Sequence, residues 1–197
     1  MSSTVLPWLH PRRWLRELQW QQRQRDLAAI ELLVLDVDGV LTDGGLWFDA
    51  QGSVQKRFDV RDGLGLKLLQ QKGVHLAFLS GGSGGATEAR ASQLGIQHCL
   101  IGIKDKPTAL KSLQMQLSMS SLQTAFLGDD LNDLAVRQEV KLLLAPADAC
   151  RPLRRQADGV LQHRGGHGAV RELSERLLQA RGQWHQLQRQ GWKGCND

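Results

Sequence analysis

Two carboxylates lie two positions apart directly after an apolar run. Residues 32–35 are all apolar, and Asp36, Asp38 and Gly39 follow them. Such a run predicts a strand buried on both faces, and residues two apart on an extended chain project to the same side. Two adjacent anions are unfavourable unless a cation lies between them or one carries a proton. The spacing therefore indicates a metal-assisted nucleophile and acid, with a polar turn as the alternative interpretation.

A second acidic cluster follows another apolar run. Residues 124–127 precede the sequence Gly-Asp-Asp-Leu-Asn-Asp at 128–133. In an open parallel sheet the carboxyl ends of both strands lie at one edge, where ligands bind. We therefore expect Asp129 to share a site with the first cluster. Asn132 and Asp133 are candidates either for that site or for capping and orienting the next helix.

A glycine-rich turn follows a third predicted strand, residues 74–79. Ser80 and Gly81 open this turn, and a helix is predicted from Ala86 to Leu94. A serine hydroxyl and backbone N–H groups between a strand and a helix favour phosphate binding. The turn is not a Walker loop, because no Gly-Lys-Ser/Thr follows at the required spacing. A flexible glycine turn is the alternative.

The order of these pieces resembles the haloacid dehalogenase phosphohydrolases. Residues 36–43, Ser80, Lys106 and residues 128–133 are similar to the four motifs of that superfamily. Two further runs, Asp-Val-Arg-Asp-Gly at 59–63 and Gly-Gly-His-Gly-Ala-Val-Arg-Glu at 165–172, are similar to its small capless branch, which includes the 3-deoxy-D-manno-octulosonate 8-phosphate phosphatases. The resemblance covers residues 31–180.

The resemblance implies a magnesium-dependent mechanism. Asp36 would form an aspartyl-phosphate, and Asp38 would act as the acid and base. Mg²⁺ would be held by Asp36, by Asp38 through its backbone carbonyl, and by Asp129. Lys106 would neutralise phosphate charge and keep Asp36 ionised, with Lys104 as a competing assignment by position. A solvated lysine is disfavoured at a helix start by the helix dipole.

The resemblance also implies the substrate contacts. Ser80, Gly81 and Lys106 would bind phosphate; Arg61, Asp62 and His167 are further candidates, although Asp62 could be a helix cap and His167 could be structural. The expected substrate is 3-deoxy-D-manno-octulosonate 8-phosphate, a sugar-acid phosphate. The arginine that usually follows the Ser-Gly pair in this branch is replaced here by Gly82. A nonulosonic (sialic-acid-type) 9-phosphate is therefore an alternative substrate, and a catalytically weak interaction subunit is an alternative of another class.

The elements that must position these residues predict an α/β fold. Strands and helices alternate, which indicates a Rossmann-like parallel sheet with helices on both faces. Residues 44–58 instead predict a β-hairpin inserted after the first strand. The resemblance implies that such hairpins assemble a homotetramer. Trp47, Phe48 and Phe58 are the candidates for that contact, with packing on the parent sheet as the alternative.

Length and charge define the remaining expectations. The 197 residues suffice for one catalytic domain, residues 30–180, with an N-terminal extension at 1–29 and a C-terminal tail at 181–197. The net charge is +5, but residues 30–180 contain 17 basic and 17 acidic residues, so no nucleic acid partner is expected. The sequence predicts neither a transmembrane segment nor a secretory signal, and Cys99, Cys150 and Cys195 fit reduced thiols. A cytoplasmic enzyme is expected.

Overall fold

The computed structural model describes residues 11–191, and for residues 11–16 it describes the backbone alone. The helices are α1 (Pro11–Gln22), α2 (Gln24–Ala28), α3 (Val60–Gln71), α4 (Gly85–Leu94), α5 (Lys106–Gln116), α6 (Arg151–Gln156), α7 (Ala169–Ala180) and α8 (Trp184–Gln190). The strands are β1 (Leu32–Leu35), β2 (Trp47–Phe48), β3 (Val54–Gln55), β4 (His75–Leu79), β5 (His98–Leu100), β6 (Thr124–Leu127), β7 (Leu142–Ala145) and β8 (Gly159–Val160). Trp8, Trp192 and Cys195 lie outside the described residues, as does the side chain of Trp14.

The main sheet has six parallel strands in the order β5-β4-β1-β6-β7-β8. Strands β1, β6 and β7 are buried at every residue, which explains their uninterrupted apolar sequences. Strand β1, which Asp36 follows, lies between β4 and β6. The predicted motifs at Asp36, Ser80 and Asp129 therefore lie at the ends of three adjacent strands. The predicted α/β fold with a parallel sheet is confirmed.

Helices cover both faces of this sheet. Leu33 and Leu35 face one apolar cluster, which includes residues of α3 and α7. Leu32 and Val34 face the opposite cluster, which includes residues of α5 and a 3₁₀ segment, Leu131–Glu139. Successive side chains of a strand point to opposite faces, so each strand serves both clusters. The segment after Asp130 was expected to be an α-helix and is this 3₁₀ segment instead.

The predicted hairpin is present as a separate two-stranded antiparallel sheet, β2 with β3. Trp47 and Phe48 on β2 are 70% and 67% exposed. Phe58 is partly buried and packs against the cluster that contains α3 and α7. Phe58 therefore packs on its own subunit, as in the alternative interpretation. Trp47 and Phe48 instead form an exposed apolar surface.

Part of the predicted N-terminal extension packs into the core. Its residues form two helices, α1 and α2, which are separated at Arg23. Trp20 on α1 is 2% exposed, and its ring lies so close to Gly159 of β8 that a Cβ there would lie 2.5 Å from it. The guanidinium of Arg176 on α7 lies 4.5 Å from the centroid of the Trp20 ring. Trp20 therefore seals the β8 side of the sheet.

The predicted C-terminal tail begins with a helix that contacts the core. Trp184 and Leu187 of α8 are partly buried against the cluster formed with α7. Cys99 and Cys150 are free thiols, as expected. No helix of the described part of the chain combines the length and apolar character needed to cross a membrane.

Candidate active site

The carboxyl ends of three neighbouring strands converge on one cavity. Asp36 follows β1, Ser80 follows β4, and Gly128 and Asp129 follow β6. The cavity has a volume of about 340 Å³. Its lining residues are Asp36, Asp38, Gly39, Gly44, Ser80, Gly81, Gly82, Asp129, Asp130 and Asn132. The fold therefore brings together residues that are nearly 100 positions apart in the chain.

The loop after β1 places its carboxylates by a tight turn. The N–H groups of Leu41 and Thr42 donate to the carbonyl of Val37, at 2.9 and 3.1 Å. Gly39 within this turn has φ +82°, and a Cβ at that position would overlap the carboxylate of Asp129. Glycine is needed for both reasons, since other residues rarely adopt this φ.

A buried lysine joins two of the carboxylates beneath the cavity. Nζ of Lys106 lies 2.9 Å from Oδ1 of Asp36 and 2.5 Å from Oδ1 of Asp133. Burial alone would lower the pKa of Lys106, but the two anions offset this and raise it overall. Burial and repulsion from Asp133 raise the pKa of Asp36 to about 6, against the opposing effect of Lys106. Lys106 thus remains a cation and partly compensates the buried anions.

Asp133 uses both of its carboxylate oxygens within the protein. Its Oδ2 accepts hydrogen bonds from the N–H groups of Asp129, at 2.8 Å, and Asp130, at 3.3 Å. Its Oδ1 is the partner of Lys106. Asp133 therefore orients the loop after β6, which is the orienting role considered as an alternative from the sequence.

Asp36, Asp129 and Asp133 form a cluster that could hold a metal ion. Their nearest oxygen atoms all lie within 4.8 Å of one another. Burial, followed by repulsion from Asp36 and Asp133, raises the pKa of Asp129 to about 8. A divalent cation would remove this repulsion, and carboxylate oxygens are the ligands that Mg²⁺ prefers. The donor set therefore fits a hard divalent cation.

Ser80 lies at the end of β4 and lines the cavity. Its side chain accepts a hydrogen bond from the N–H of Gly82 at 3.1 Å, which leaves its own O–H available to donate. Ser80 is 1% exposed and lines the cavity together with Gly81. The hydroxyl thus shares the cavity with Asp36, directly after β4.

The three further candidates for substrate contact, Arg61, Asp62 and His167, do not line this cavity. Asp62 is 1% exposed, and it accepts hydrogen bonds from the N–H groups of Arg171, at 2.7 Å, and Gly168, at 3.3 Å. Arg61 is bound to Asp59 at 2.7 Å, with its side chain 63% exposed. His167 is exposed. Asp62 therefore caps the start of α7, whereas the alternative weighed from the sequence was a cap of its own helix, α3, where Asp59 is the N-cap.

The loop that contains His167 nevertheless packs on the acidic loop. The N–H of Gly166 donates to the carbonyl of Val40 at 2.9 Å, and a Cβ at Gly165 would overlap the backbone of Gly39. Both glycines are buried. The Gly-Gly pair thus supports the turn that carries Asp36 and Asp38.

One residue beside the site was missed by sequence reasoning. Nζ of Lys56 lies 2.8 Å from Oδ1 and 2.9 Å from Oδ2 of Asp38. Lys56 follows β3 at the end of the exposed hairpin, and no local motif distinguishes it from a surface lysine. Only the path of the hairpin back to the sheet brings it to Asp38.

Known proteins similar to this chain share both sequence and fold. No protein-family model matches the chain. The 3-deoxy-D-manno-octulosonate 8-phosphate phosphatase KdsC of Haemophilus influenzae is 42% identical over 159 residues, which are 81% of this chain and 88% of that protein.

Solved structures of similar proteins share the fold over most of this chain. A 3-deoxy-D-manno-octulosonate 8-phosphate phosphatase from Moraxella catarrhalis, in complex with magnesium ion, phosphate ion and KDO, matches with a TM-score of 0.83 and 36% identity over 86% of this chain and 97% of its own. The cobalt-bound phosphatase of Haemophilus influenzae matches with a TM-score of 0.79 and 41% identity over 81% of this chain and 93% of its own.

Proposed function

This chain belongs to the KdsC-like branch of the haloacid dehalogenase phosphatases, and from that premise we propose that it releases phosphate from 3-deoxy-D-manno-octulosonate 8-phosphate with Mg²⁺ as cofactor. The observation that carries the chemistry is the convergence of Asp36, Asp129 and Ser80 on one cavity, with Lys106 bound to Asp36. The substrate is supported by the names and bound product of the similar proteins.

Asp36 is the proposed nucleophile. Lys106 holds its Oδ1, which leaves Oδ2 to attack phosphorus. The new bond from Asp36 to phosphorus forms as the bond from phosphorus to the sugar oxygen breaks. Asp38 donates a proton to the departing oxygen. It then takes a proton from the water that hydrolyses the aspartyl-phosphate, so Asp38 is regenerated as an acid.

The proposed metal ligands are the carboxylates of Asp36 and Asp129 and the backbone carbonyl of Asp38. Asp133 is not proposed as a ligand, because its oxygens are already bound by Lys106 and by two backbone N–H groups. When bound, Mg²⁺ would neutralise charge on the phosphoryl oxygens. Ser80, Gly81 and Lys106 would bind the same phosphoryl group from the protein side.

We also propose that the enzyme works as a homotetramer in which the hairpins meet. Trp47 and Phe48 are exposed, and a two-stranded sheet is marginally stable without a packing partner. Arg61 and His167, which are exposed outside the cavity, would then contact substrate in a site completed by a neighbouring subunit. The double variant Trp47→Ser, Phe48→Ser should lower the molar mass measured by light scattering. An unchanged mass would contradict assembly through the hairpin.

A substrate panel tests the proposed activity. Phosphate release should be measured with 3-deoxy-D-manno-octulosonate 8-phosphate, a nonulosonic 9-phosphate, common hexose phosphates and p-nitrophenyl phosphate, each with Mg²⁺ and with a chelator. We expect the highest kcat/KM for the eight-carbon sugar acid and no turnover in chelator. A preference for the nine-carbon substrate would favour the alternative suggested by Gly82. No release from any substrate would favour an interaction subunit.

A further inference from the structure

The ion pair between Lys56 and Asp38 is buried on its lysine side. The Lys56 side chain is 3% exposed, and that of Asp38 is 32% exposed. Nζ of Lys56 also donates a hydrogen bond to Oγ1 of Thr87 on α4, at 3.3 Å. An ammonium group loses its hydration when it is buried, and a surface ion pair has no such cost. The lysine is therefore fixed by two partners, in contrast to a mobile surface cation.

The second cation at the site, Lys106, already has other carboxylate partners. It is bound to Asp36 and Asp133 beneath the cavity. Asp38 instead faces Lys56, which reaches it from the end of the hairpin. The two carboxylates of the first motif thus have separate lysine partners from separate elements. This arrangement fixes the two side chains independently of each other.

Gly82 leaves the space that this pair occupies. A Cβ at position 82 would lie 2.9 Å from Oδ2 of Asp38 and 3.7 Å from Nζ of Lys56. A larger side chain at this position would therefore require the carboxylate of Asp38 to shift. The small residue after the Ser-Gly pair is therefore matched to the position of the ion pair.

The ammonium of Lys56 contacts both carboxylate oxygens of Asp38, at 2.8 Å from Oδ1 and 2.9 Å from Oδ2. Oδ1 is buried, and Asp38 lines the cavity, so Oδ2 is the oxygen left to face a substrate. The contact with Lys56 therefore fixes the direction in which Asp38 can exchange a proton.

We propose that Lys56 is a positioning residue for Asp38, which it holds together with Thr87 in the orientation needed for proton transfer. This inference rests on the proposed function, because it takes Asp38 to be the acid of a phosphomonoesterase. Lys56 would act through Asp38 and would contribute little to the attack by Asp36. Its loss should therefore matter most when the leaving group needs a proton.

Leaving-group dependence tests this role. Lys56→Met keeps the length and apolar stem of the side chain but removes the ammonium. We expect kcat/KM to fall about 10- to 100-fold with a primary alkyl phosphate such as glycerol 3-phosphate, because its alkoxide needs general-acid catalysis. With p-nitrophenyl phosphate, whose leaving group departs as a stable anion, the fall should be several times smaller. Thr87→Val should change both values in the same direction and less.

Lys111→Met is the matched control. Lys111 pairs with Glu139 on the surface, with its side chain 59% exposed, so its loss should leave both kcat/KM values unchanged. Equal losses with the alkyl and aryl phosphates in a folded Lys56→Met variant would overturn the proposal. So would a rise in KM alone, since that would assign Lys56 to substrate binding.

A crystal structure of Lys56→Met tests the positioning role without an activity measurement. The carboxylate of Asp38 is expected to rotate or to occupy two orientations, while Asp36 and Lys106 stay in place. An unchanged Asp38 would overturn the positioning role. If the wild-type enzyme releases no phosphate from any phosphomonoester, the proposed function fails, and the structure of the variant still decides whether Lys56 holds Asp38.

Discussion

Nζ of Lys106 lies 2.9 Å from Oδ1 of Asp36, at the point where α5 begins and β1 ends. The same ammonium contacts Asp133, from the segment after β6. Since both the lysine and Asp36 are nearly inaccessible to solvent, neither charge is balanced by water. Removal of the Lys106 or Asp36 charge is therefore expected to change the stability of the fold.

Loss of the buried cation should destabilise the fold. In Lys106→Met, Asp36 and Asp133 would remain buried without their ammonium partner, which typically costs about 3–5 kcal/mol. Lys111→Met removes an exposed pair with Glu139 and should cost less than about 1 kcal/mol. Urea unfolding at neutral pH in the absence of Mg²⁺ gives both values. Equal changes in the two variants would show that the Lys106 cluster contributes nothing special to stability.

Loss of the proposed nucleophile should abolish turnover and leave the fold intact. Asp36→Asn keeps the shape of the side chain and one carbonyl oxygen near Lys106. We expect kcat to fall by about 10⁴-fold or more, as when the nucleophile of a covalent mechanism is removed. Steady-state phosphate release and a thermal unfolding curve provide the two measurements. Turnover near that of the wild type would reject Asp36 as the nucleophile.

Asp129 should control the affinity for Mg²⁺. We expect Asp129→Asn to raise the Mg²⁺ concentration needed for half-maximal activity by about 10- to 100-fold, since one anionic ligand is lost. The matched control is Asp130→Asn. Asp130 lines the same cavity and bonds to the N–H of Leu131. Identical metal titrations for Asp129→Asn and the wild type would remove Asp129 from the ligand set.

The metal-free protein should lose stability as the pH rises from about 6 to about 8. Burial and the neighbouring anions raise the pKa of Asp36 to about 6 and that of Asp129 to about 8, above their ordinary value of 3.8. In this window the folded chain retains a proton at Asp129 that the unfolded chain has already released. The free energy of unfolding therefore decreases with increasing pH.

Urea unfolding in chelator at several pH values between 6 and 8 measures this slope, which comes from the raised pKa of Asp129. Asp129→Asn should flatten it, because the titrating group is absent. Saturating Mg²⁺ should also reduce it, since the ion binds the deprotonated carboxylate. A slope that is the same in the variant would assign the effect to another group.

Asp62 should matter chiefly for stability. Asp62→Ala leaves the N–H groups of Gly168 and Arg171 without their acceptor at the start of α7, at a cost of about 1–3 kcal/mol. Asp62→Asn keeps one acceptor oxygen and should cost less. Denaturant unfolding measures both. If Asp62→Ala instead raised KM with unchanged stability, Asp62 would be a substrate contact.

Much of the fold could be predicted because it depends on local patterns. The apolar run before Asp36 and the run before Asp129 identified buried parallel strands, and the carboxyl edge of such a sheet is shared by its strands. Ser80 was placed by the same argument. These predictions needed only the period of side chains along a strand and the tendency of β-α units to form parallel sheets.

Other features depended on contacts between distant segments. Lys56 and Trp20 carry no distinctive local motif, yet Lys56 contacts Asp38 and Trp20 contacts Gly159. Asp62 lies in a recognised motif, but its bond to the N–H of Arg171 joins residues 109 positions apart. Asp133 was recognised as a capping or orienting candidate, but its bond to Lys106 joins residues 27 positions apart. Neither periodicity nor capping preference contains information about such partners.

The sequence by itself therefore determined the strand ends, the acidic clusters and the glycine-rich turn that begins at Ser80, because each arises from neighbours in the chain. Tertiary structure decided the charge partner that no motif predicted, because Lys56 lies with Asp38. The pairing of Lys106 with Asp36 was already implied by the resemblance. The physical reason is that buried charges are stabilised by whichever opposite charge the packing brings within about 3 Å. That packing depends on segments far apart in the sequence, since Lys106 begins α5 and Lys56 follows the hairpin.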